Sequence, residues 1–481
     1  MTTTNANRKI LDMKRWELLN PLPNASAGTS SCFAMCDSVR QLALYNFTQT
    51  QMYLYDVAED GFHQIQSSGS GTTQAAGAAM CAIPWSYGPG ANSGSMVGSG
   101  GTTSTITTGQ TINRDLRGWK IHILEGPNAG ATLDIVSSTP GSNATITVPT
   151  QASAFTGATR FRLLTPRYYY WNGTSGARDF RMYDYAFNTW YPCSTTGMPT
   201  TFGTDAVLTS TPSWVGDDYA EFATGTATSG TSTTLVNSAK TWTVNQWVNF
   251  QVRIVSGTGA GQYRTISAND ATSVTVSIAW AITPDSTSVY AIEGNDNFLY
   301  LIGNNAVTMY RYSITTDTWT TLTPTVARAA AAAGGCSLLW VRDSDDPKWT
   351  DEDAIINGRR LYSMRGGNSS AVDYYDIPSN SWVALPNVLT TDAFNINNRY
   401  VLIKDKIYAS VGGSSTPLRW VIFDILRNQQ DPWSTAPVLA NTSLGSGNFG
   451  FRGYYKDGTT VINYVYAASG GGSFLLRCMV I

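Results

Sequence analysis

The chain has 481 residues, of which 13% are charged, and its formal net charge is -2. This length is sufficient to bury a large core, and the nearly neutral charge argues against general affinity for nucleic acid or anionic membranes. Gly, Ser, Thr, Tyr and Trp are abundant, which favours strands and tight turns over helices.

Residues 1–37 predict an irregular N-terminal arm. Its basic residues, among them Lys14 and Arg15, are not followed by the apolar core of a signal peptide. The chain also has no apolar run of transmembrane length. We therefore expect synthesis in a cytoplasm, with no export signal of its own and no membrane insertion.

Residues 38–66 contain two strand-like runs, 42–45 and 51–55, which predict a β-hairpin. The passage that follows, up to residue 101, is rich in Gly, Ser, Thr and Ala. Such a composition is typical of a flexible loop.

Two later segments, residues 102–166 and 229–294, resemble each other. Each has a Trp, a glycine-rich turn (126–130 or 257–261), a strand and then a short run of alternating residues. Alternation of this kind indicates half-buried strands, so we predict two copies of a small β-module.

A tyrosine frame recurs along the rest of the chain. In each copy an aromatic residue follows the Tyr after seven positions, and Asp or Asn stands two places before that aromatic. The four frames are Tyr55–Phe62, Tyr183–Trp190, Tyr312–Trp319 and Tyr375–Trp382. The pattern predicts repeated hairpins that bury their apolar faces by packing side by side.

The frame around Gly366-Gly367, Tyr375-Asp376 and Trp382 resembles the kelch repeat of β-propellers, and Gly412-Gly413 with Phe423-Asp424 is a looser copy. Together with the apolar runs 461–466 and 474–481, the frames give six units. The resemblance implies an all-β, kelch-like β-propeller of about six blades, which closes its sheet edges in a ring.

The predicted propeller occupies residues 38–101, 167–228 and 295–481, with inserted β-module 1 at 102–166 and inserted β-module 2 at 229–294. The interval between Tyr55 and Tyr183 exceeds the interval between Tyr312 and Tyr375 by about one module. We therefore expect each module to lie between successive blades, on the same side of the propeller.

The second module carries a further resemblance. Its Gly257–Gln262 turn, the run 263–266, Ala279-Trp280 and the segment 284–290 are similar to small β-modules in virion proteins of tailed bacteriophages. A propeller with such insertions also resembles nozzle or hub proteins of short-tailed phages.

These resemblances imply a structural virion protein of a phage tail, most simply a nozzle or hub component that assembles into a ring, with a hexamer as the expected order. It would form part of the DNA conduit without reading sequence, and would offer an attachment surface to other tail proteins or fibres. The alternative is a glycan-binding or capsid-decorating propeller on the phage surface.

We expect no enzyme activity, no catalytic, cofactor-binding or metal residues, and no cofactor. The chain has only two histidines, His63 and His122, in different predicted units, too few to hold a copper site of the kind some kelch propellers carry. The cysteines are scattered, so buried reduced thiols are expected at Cys32, Cys36, Cys81, Cys193, Cys336 and Cys478.

Three other patterns have structural interpretations that we favour. The acidic cluster at 343–353 offers oxygen ligands for Ca²⁺, but its spacing matches no EF-hand and a solvated loop is the expected form. The turn 257–261 lacks the Lys-Ser/Thr of a phosphate-binding loop. Aromatic residues on exposed loops would suit sugar stacking, but most stand at repeat positions that serve blade cores.

Overall fold

A computed structural model describes most of the chain. The described residues are 16–19, 32–37, 39–48, 51–65, 78–86, 96–128, 131–157, 159–173, 178–199, 206–211, 214–215, 218–219, 221–245, 247–248, 251–293, 298–303, 306–314, 317–341, 360–377, 379–388, 394, 400–403, 405–411, 418–439, 445–457, 460–470 and 475–480. Their regular structure is entirely β.

The first third of the chain forms one blade, opens a second and then folds into module 1. A single strand, β1 (Trp16–Leu18), comes first. Blade 1 follows with β2 (Cys32–Asp37), β3 (Gln41–Thr48), β4 (Gln51–Asp56) and β5 (Gly61–Gln64). Blade 2 opens with β6 (Ala79–Ile83). Module 1 contains β7 (Met96–Gly101), β8 (Thr105–Thr108), β9 (Lys120–Glu125), β10 (Thr132–Asp134), β11 (Ser137–Thr139), β12 (Thr145–Thr147) and β13 (Arg160–Leu163).

The middle third completes blade 2 and interrupts blade 3 in the same way. Blade 2 ends with β14 (Arg167–Trp171), β15 (Phe180–Asp184) and β16 (Thr189–Pro192). Blade 3 opens with β17 (Val207–Ser210), and a small hairpin of β18 (Trp214–Val215) and β19 (Asp218–Tyr219) follows. Module 2 contains β20 (Glu221–Thr226), β21 (Ser229–Gly230), β22 (Thr234–Val236), β23 (Gln251–Ser256), β24 (Tyr263–Asn269), β25 (Ser273–Val276) and β26 (Val289–Glu293).

The last third completes the ring. Blade 3 ends with β27 (Phe298–Ile302), β28 (Met309–Ser313) and β29 (Thr318–Thr321). Blade 4 has β30 (Leu339–Val341), β31 (Arg360–Met364), β32 (Val372–Asp376) and β33 (Ser381–Ala384). Blade 5 has β34 (Tyr400–Ile403), β35 (Lys406–Val411), β36 (Leu418–Asp424) and β37 (Gln429–Leu439). Blade 6 has β38 (Gly445–Asp457), β39 (Thr460–Gly470) and β40 (Leu475–Val480).

Six four-stranded antiparallel sheets therefore form a six-bladed β-propeller, as predicted. The first strands of neighbouring blades contact one another around the centre, from β2 to β6 to β17 and from β34 through β38 back to β2. Several of these strands are apolar, among them β2 and β34, and every residue of β6 is buried. Packing of apolar sheet faces against the neighbouring blades thus supplies the core.

Blade 6 is completed by the strand from the other end of the chain. β1 pairs with β40, with Trp16 opposite Cys478 and Leu18 opposite Leu476. The N-terminal arm was expected to be irregular and to contribute at most a strand; residues 16–18 and 32–37 are in fact strands of blades 6 and 1. Three-residue strands carry too little periodicity to be recognised without their partner. The expectation that the apolar run at 474–481 lies in a sheet is confirmed for β40.

The modules lie within blades, not between them. Module 1 separates the first and second strands of blade 2, and module 2 separates the same strands of blade 3. Their strands also begin earlier than expected, at Met96 and Glu221, and β6 lies within the passage interpreted as loop. In β7 the Gly and Ser residues hid the strand, since they are poor strand formers that pairing partners nevertheless hold in place, whereas β6 is a short apolar run enclosed by Gly- and Ser-rich sequence.

Both modules are small closed barrels with the same strand order. In module 1, β7 pairs with β8 and with β13, and the order continues through β12 and β11 on one side and β9 and β10 on the other. In module 2, β20 and β21 take the place of β7, and β24 takes the place of β10 and β11. The predicted internal similarity of the two segments therefore corresponds to one shared topology.

Candidate functional site: the face that carries the modules

Both modules emerge on one face of the propeller. Each blade starts at its central strand, so all first strands run in the same direction and the connections that follow them leave on the same side. In an antiparallel sheet the turn between the third and fourth strands lies on that side as well. We call this side the module face.

The tyrosine frame forms the turns of the module face. In each copy the Tyr hydroxyl donates a hydrogen bond to the Asp or Asn side chain five residues later, and this Asp or Asn has a positive φ. The pairs are Tyr55–Asp60 at 2.7 Å, Tyr183–Asn188 at 2.8 Å, Tyr312–Asp317 at 2.5 Å and Tyr375–Asn380 at 2.6 Å. Asp and Asn tolerate the left-handed conformation better than other side chains, which explains their fixed place.

The same Asp or Asn anchors a segment from outside its own sheet. Asp317 accepts a hydrogen bond from the backbone nitrogen of Ser194, in the segment that leaves blade 2. Asn380 donates one to the carbonyl of Thr323, in the segment that leaves blade 3. The repeated turn thus joins consecutive blades.

In blade 2 the equivalent residue, Asn188, binds module 1 and not a segment that leaves the preceding blade. Arg114 donates to the Asn188 side chain at 2.8 Å and to the Tyr183 hydroxyl at 3.0 Å, and its guanidinium lies 4.5 Å from the ring centre of Tyr185. The neighbouring Asn113 donates from its side chain to the carbonyl of Phe187 at 2.8 Å. Module 1 is therefore clamped onto the blade that carries it.

A buried polar cluster fixes the base of module 1. The Ser86 hydroxyl donates to the Asp184 carboxylate at 2.6 Å, and the Ser86 backbone nitrogen donates to the carbonyl of Leu163 at 2.8 Å. The Arg167 guanidinium lies 3.5 Å from the same carboxylate. Burial raises the pKa of Asp184 to about 6, although Arg167 and the hydrogen bonds oppose this shift. One carboxylate thus ties the start and end of the module to blade 2.

The cores of the two modules differ in extent. The apolar core of module 1 is continuous with blades 1 and 2, since one cluster contains Ile121 and Phe161 as well as Leu44 and Tyr168. The core around Trp247 in module 2 contains only residues of that module. Module 1 is fused to the propeller, whereas module 2 has a core of its own.

Equivalent strands of the two modules, β9 and β23, each carry a buried nitrogen-containing side chain, His122 and Arg253. On their outer sides, His122 of β9 is opposite Arg162 of β13, and Arg253 of β23 is opposite Ala291 of β26. All four are buried. Burial, together with the charges of Arg253 and Arg162, lowers the pKa of His122 to about 3, so this imidazole is neutral near pH 7. His122 of module 1 is therefore within reach of the charge of Arg253 in module 2.

The far end of module 2 is rigid and apolar. Its loops 256–262 and 277–284 follow outgoing strands and therefore lie away from the propeller. Gln262 joins the two loops, donating to the carbonyl of Ile282 at 2.7 Å and accepting from the backbone nitrogen of Ala281 at 2.7 Å. Gly257 has a φ of 79°, and a Cβ there would lie 1.9 Å from the carbonyl oxygen of Thr287. Ile278 and Ile282 are 69% and 56% exposed on this end.

The residues singled out in the sequence do not converge. His63 is exposed on β5 and forms an ion pair with Glu59. The His122 imidazole forms a hydrogen bond with the Thr132 hydroxyl inside module 1. All six cysteines are free, and only Cys193 is not fully buried. Burial raises its pKa to about 12. The turn 257–261 is the tight connection just described.

Metal and sugar candidates can be assessed only within the described ranges. The acidic cluster at 343–353 lies outside them. Inside them, no group of three or more His, Cys, Asp or Glu residues is arranged to hold a metal ion. The frame aromatics are buried or nearly so, and no described Phe, Tyr or Trp side chain is classed as exposed. The described residues also contain no helix that is long and apolar enough to cross a membrane.

Sequence reasoning missed the contacts that define the module face. Arg114 and Asn113 lie in a polar turn with no distinguishing pattern, and their partners are more than 60 residues away.

No protein-family model and no curated protein matches the sequence. Similar solved structures include a fungal lectin from Aleuria aurantia, described as a six-bladed β-propeller with a novel fucose recognition mode. It has 9% identity over 97% of this chain and 94% of that chain, with a TM-score of 0.38. AofleA from Arthrobotrys oligospora has 8% identity over 98% and 87% of the two chains, with a TM-score of 0.38. A mitotic checkpoint complex chain has 9% identity over 97% and 91%, with a TM-score of 0.35. The propeller assignment itself rests on the six sheets of this chain.

Proposed function

We propose that this protein is a non-catalytic assembly component of a phage tail, a nozzle or hub subunit that forms a ring and presents the module face to neighbouring tail proteins. The observation that carries the proposal is the distribution of exposed apolar side chains. Six of the ten large exposed apolar residues in the described ranges belong to the modules: Val97, Val136, Val244, Val255, Ile278 and Ile282. Exposed apolar groups concentrated on protruding units are typical of interaction surfaces.

The architecture suits a mechanical role. Closing the ring of blades removes free sheet edges, and two barrels on one face add contact surface without disturbing that ring. The phage assignment is supported by the similarity of module 2 to virion β-modules, and the kelch character of the blades by the frame around Gly366 and Trp382. Both remain predictions.

The test is native mass spectrometry of the purified protein together with negative-stain images. A closed ring of identical subunits is the expected result, and a hexamer is the expected order. A protein that stays monomeric across the accessible concentration range would contradict the ring.

Glycan recognition is the second candidate, and the far end of module 1 is the observation that favours it. Its loop 149–157 is exposed and uncharged, and Asn128 crosses to it by donating to the carbonyl of Ser153 at 2.8 Å. Hydroxyl and amide groups on a neutral surface can form the hydrogen bonds that sugars require. Screening the parent protein and the Asn128→Ala variant on a glycan array tests this. Glycan binding by a monomeric parent, weakened in the variant, would favour recognition over the ring.

A further inference from the structure

A buried cluster of charged and polar side chains lies in blade 4. Arg328, from the segment that joins blades 3 and 4, donates to the Asp373 carboxylate from Nε at 3.0 Å and from Nη2 at 2.8 Å. Its Nη2 also donates to the Ser363 hydroxyl at 2.7 Å. Arg365 donates to the same carboxylate at 3.3 Å. Two arginines thus share one carboxylate, and these residues, which we call the Arg328 cluster, have a formal charge of +1.

Little of this charge reaches solvent. The side chains of Arg328 and Asp373 are 0% and 3% exposed, and that of Arg365 is 18% exposed. The Arg328 guanidinium lies over the indole of Trp382, with its central carbon 4.6 Å from the ring centre. Trp382 belongs to a core cluster that includes Tyr300 of blade 3. The excess positive charge is therefore held at the junction of blades 3 and 4.

Three buried donors of this region have no acceptor in the described structure. They are Arg328 Nη1, Arg365 Nε and Trp382 Nε1. The stacking of Arg328 on Trp382 makes two of these donors neighbours. A buried donor that lacks an acceptor destabilises the folded state, and the penalty is larger for a charged donor. The Arg328 cluster thus lacks both an acceptor and a negative charge.

The same place in blade 3 carries no charge. Blades 3 and 4 correspond position by position, because each frame tryptophan donates its backbone N–H to the preceding linker and the second and third strands pair in the same register. The indole of Trp319, the counterpart of Trp382, donates to the carbonyl of Ser194 at 3.2 Å. The other counterparts are Met198 for Arg328, Tyr310 for Asp373 and Leu301 for Ser363. A blade of this propeller therefore forms without such a cluster, and buried ion pairs are seldom needed for stability alone.

We propose that the Arg328 cluster binds a small anion of halide size, held by Arg328 Nη1 and the neighbouring Trp382 Nε1. Such an ion supplies the missing acceptor and compensates the excess charge of the two arginines. Arg365 is the cluster residue that reaches solvent, and it lies at the turn between the second and third strands, opposite the module face. It is therefore the residue past which the ion enters. The site is independent of the proposed ring.

Burial and charge decide the kind of ligand. A water molecule accepts hydrogen bonds, but it leaves the positive charge of the cluster uncompensated. Arg328 Nη1 and Trp382 Nε1 are both closed to solvent, so a phosphate group or a carboxylate on a peptide would have to displace packed side chains to reach them. A halide ion needs only a small space and has no preferred direction for its donors.

Crystals of the intact protein soaked in sodium bromide provide the first test. An anomalous bromide peak in contact with Arg328 Nη1 is the expected result, and it should be lost in Arg365→Met, which removes the excess charge but keeps the Arg328–Asp373 pair. Arg181→Met is the matched control, because Arg181 is 25% exposed and pairs with Asp179 at 2.8 Å in blade 2. Peaks confined to exposed side chains would mean an adventitious ion only and would overturn the site.

Thermal unfolding provides the second test, with bromide exchanged for gluconate at constant ionic strength, since gluconate is too large for the site. The melting temperature of the parent and of Arg181→Met should rise with bromide until it saturates. The midpoint of this rise should move to about tenfold or more higher bromide in Arg365→Met.

A triple variant, Arg328→Met with Asp373→Tyr and Ser363→Leu, copies blade 3 and keeps the test valid if single changes at Arg328 prevent folding. It should fold and show no response to bromide. An equal response of the parent and all variants, or no saturating response of the parent, would overturn the anion site. Either outcome leaves the proposed ring untouched, because the ring is tested by the mass of the assembly.

Discussion

Modules 1 and 2 have the same strand order and the same position in consecutive blades, yet they are attached differently. Module 1 shares its apolar core with blades 1 and 2 and is clamped by Arg114. Module 2 keeps its core to itself, and Val244, three residues before its core Trp247, is 65% exposed. A shared topology therefore does not determine attachment; a few side chains in one loop and the extent of the core decide it.

The largest expected difference is between the isolated modules. A fragment covering module 2, residues 220–294, should fold alone, because its core is complete within those residues. A fragment covering module 1, residues 95–164, should remain largely unfolded, because its core continues into Tyr168 and Tyr183 of blade 2. Amide chemical-shift dispersion in NMR spectra distinguishes the two. Equal dispersion in both fragments would contradict the comparison.

Substitution of the equivalent core tryptophans tests coupling in the intact chain. Trp119→Ala and Trp247→Ala each remove a buried indole, at a cost of about 3–5 kcal/mol. Trp119→Ala should lower the melting temperature of the main unfolding transition, since Trp119 packs against Tyr185 at 5.0 Å. Trp247→Ala should instead produce a separate, earlier transition in calorimetry, with the propeller transition unchanged. One common transition for both variants would show that module 2 is coupled as well.

The buried Asp184, at the base of module 1, gives blade 2 a pH dependence opposite in sign to that of Asp270 and Asp285 in module 2, whose pKa values are lowered by hydrogen bonds. Its pKa is about 6 in the folded protein and 3.8 as a reference value, so the folded state binds the proton more tightly. The contribution of Asp184 to stability should therefore rise as the pH falls from about 6 to about 4, by on the order of 3 kcal/mol, whereas carboxylates with a lowered pKa, such as Asp424, act in the opposite direction. Asp184→Asn should flatten this part of the curve. Denaturant unfolding between pH 4 and pH 8 measures it, and an unchanged slope in the variant would exclude Asp184 as the source.

The smallest effects concern one residue in the loop before the core tryptophan of each module. Arg114→Ala should destabilise the protein by about 1.5–3 kcal/mol, because it removes hydrogen bonds to Asn188 and Tyr183 from a charged donor. Val244→Ala, at an exposed position, should change the stability by less than about 0.5 kcal/mol. Chemical denaturation of both variants provides the measurement. A similar cost at both positions would mean that the Arg114 clamp contributes little.

The sequence predicted those features that depend on neighbours along the chain. The tyrosine frames were recognisable because Tyr375 and Asn380 meet within one turn, and the modules because their turns and alternation recur. The β6 strand and the closing strand β1 depend on partners far away in the chain, and their own residues carry little pattern. The module face was not predictable for the same reason, since Arg114 finds its partners only after both units have folded.

The pairing of β1 with β40 also has a kinetic consequence. Trp16 meets Cys478 across almost the whole chain, so this contact has the largest loop-closure cost in the fold. The other blades form from strands closer together in sequence, and those of blades 1, 4 and 5 from consecutive strands. We therefore expect blade 6 to close last and refolding to show a slow phase. Trp16 fluorescence, or hydrogen exchange of the β1 amides, would report this phase after the other blades have formed.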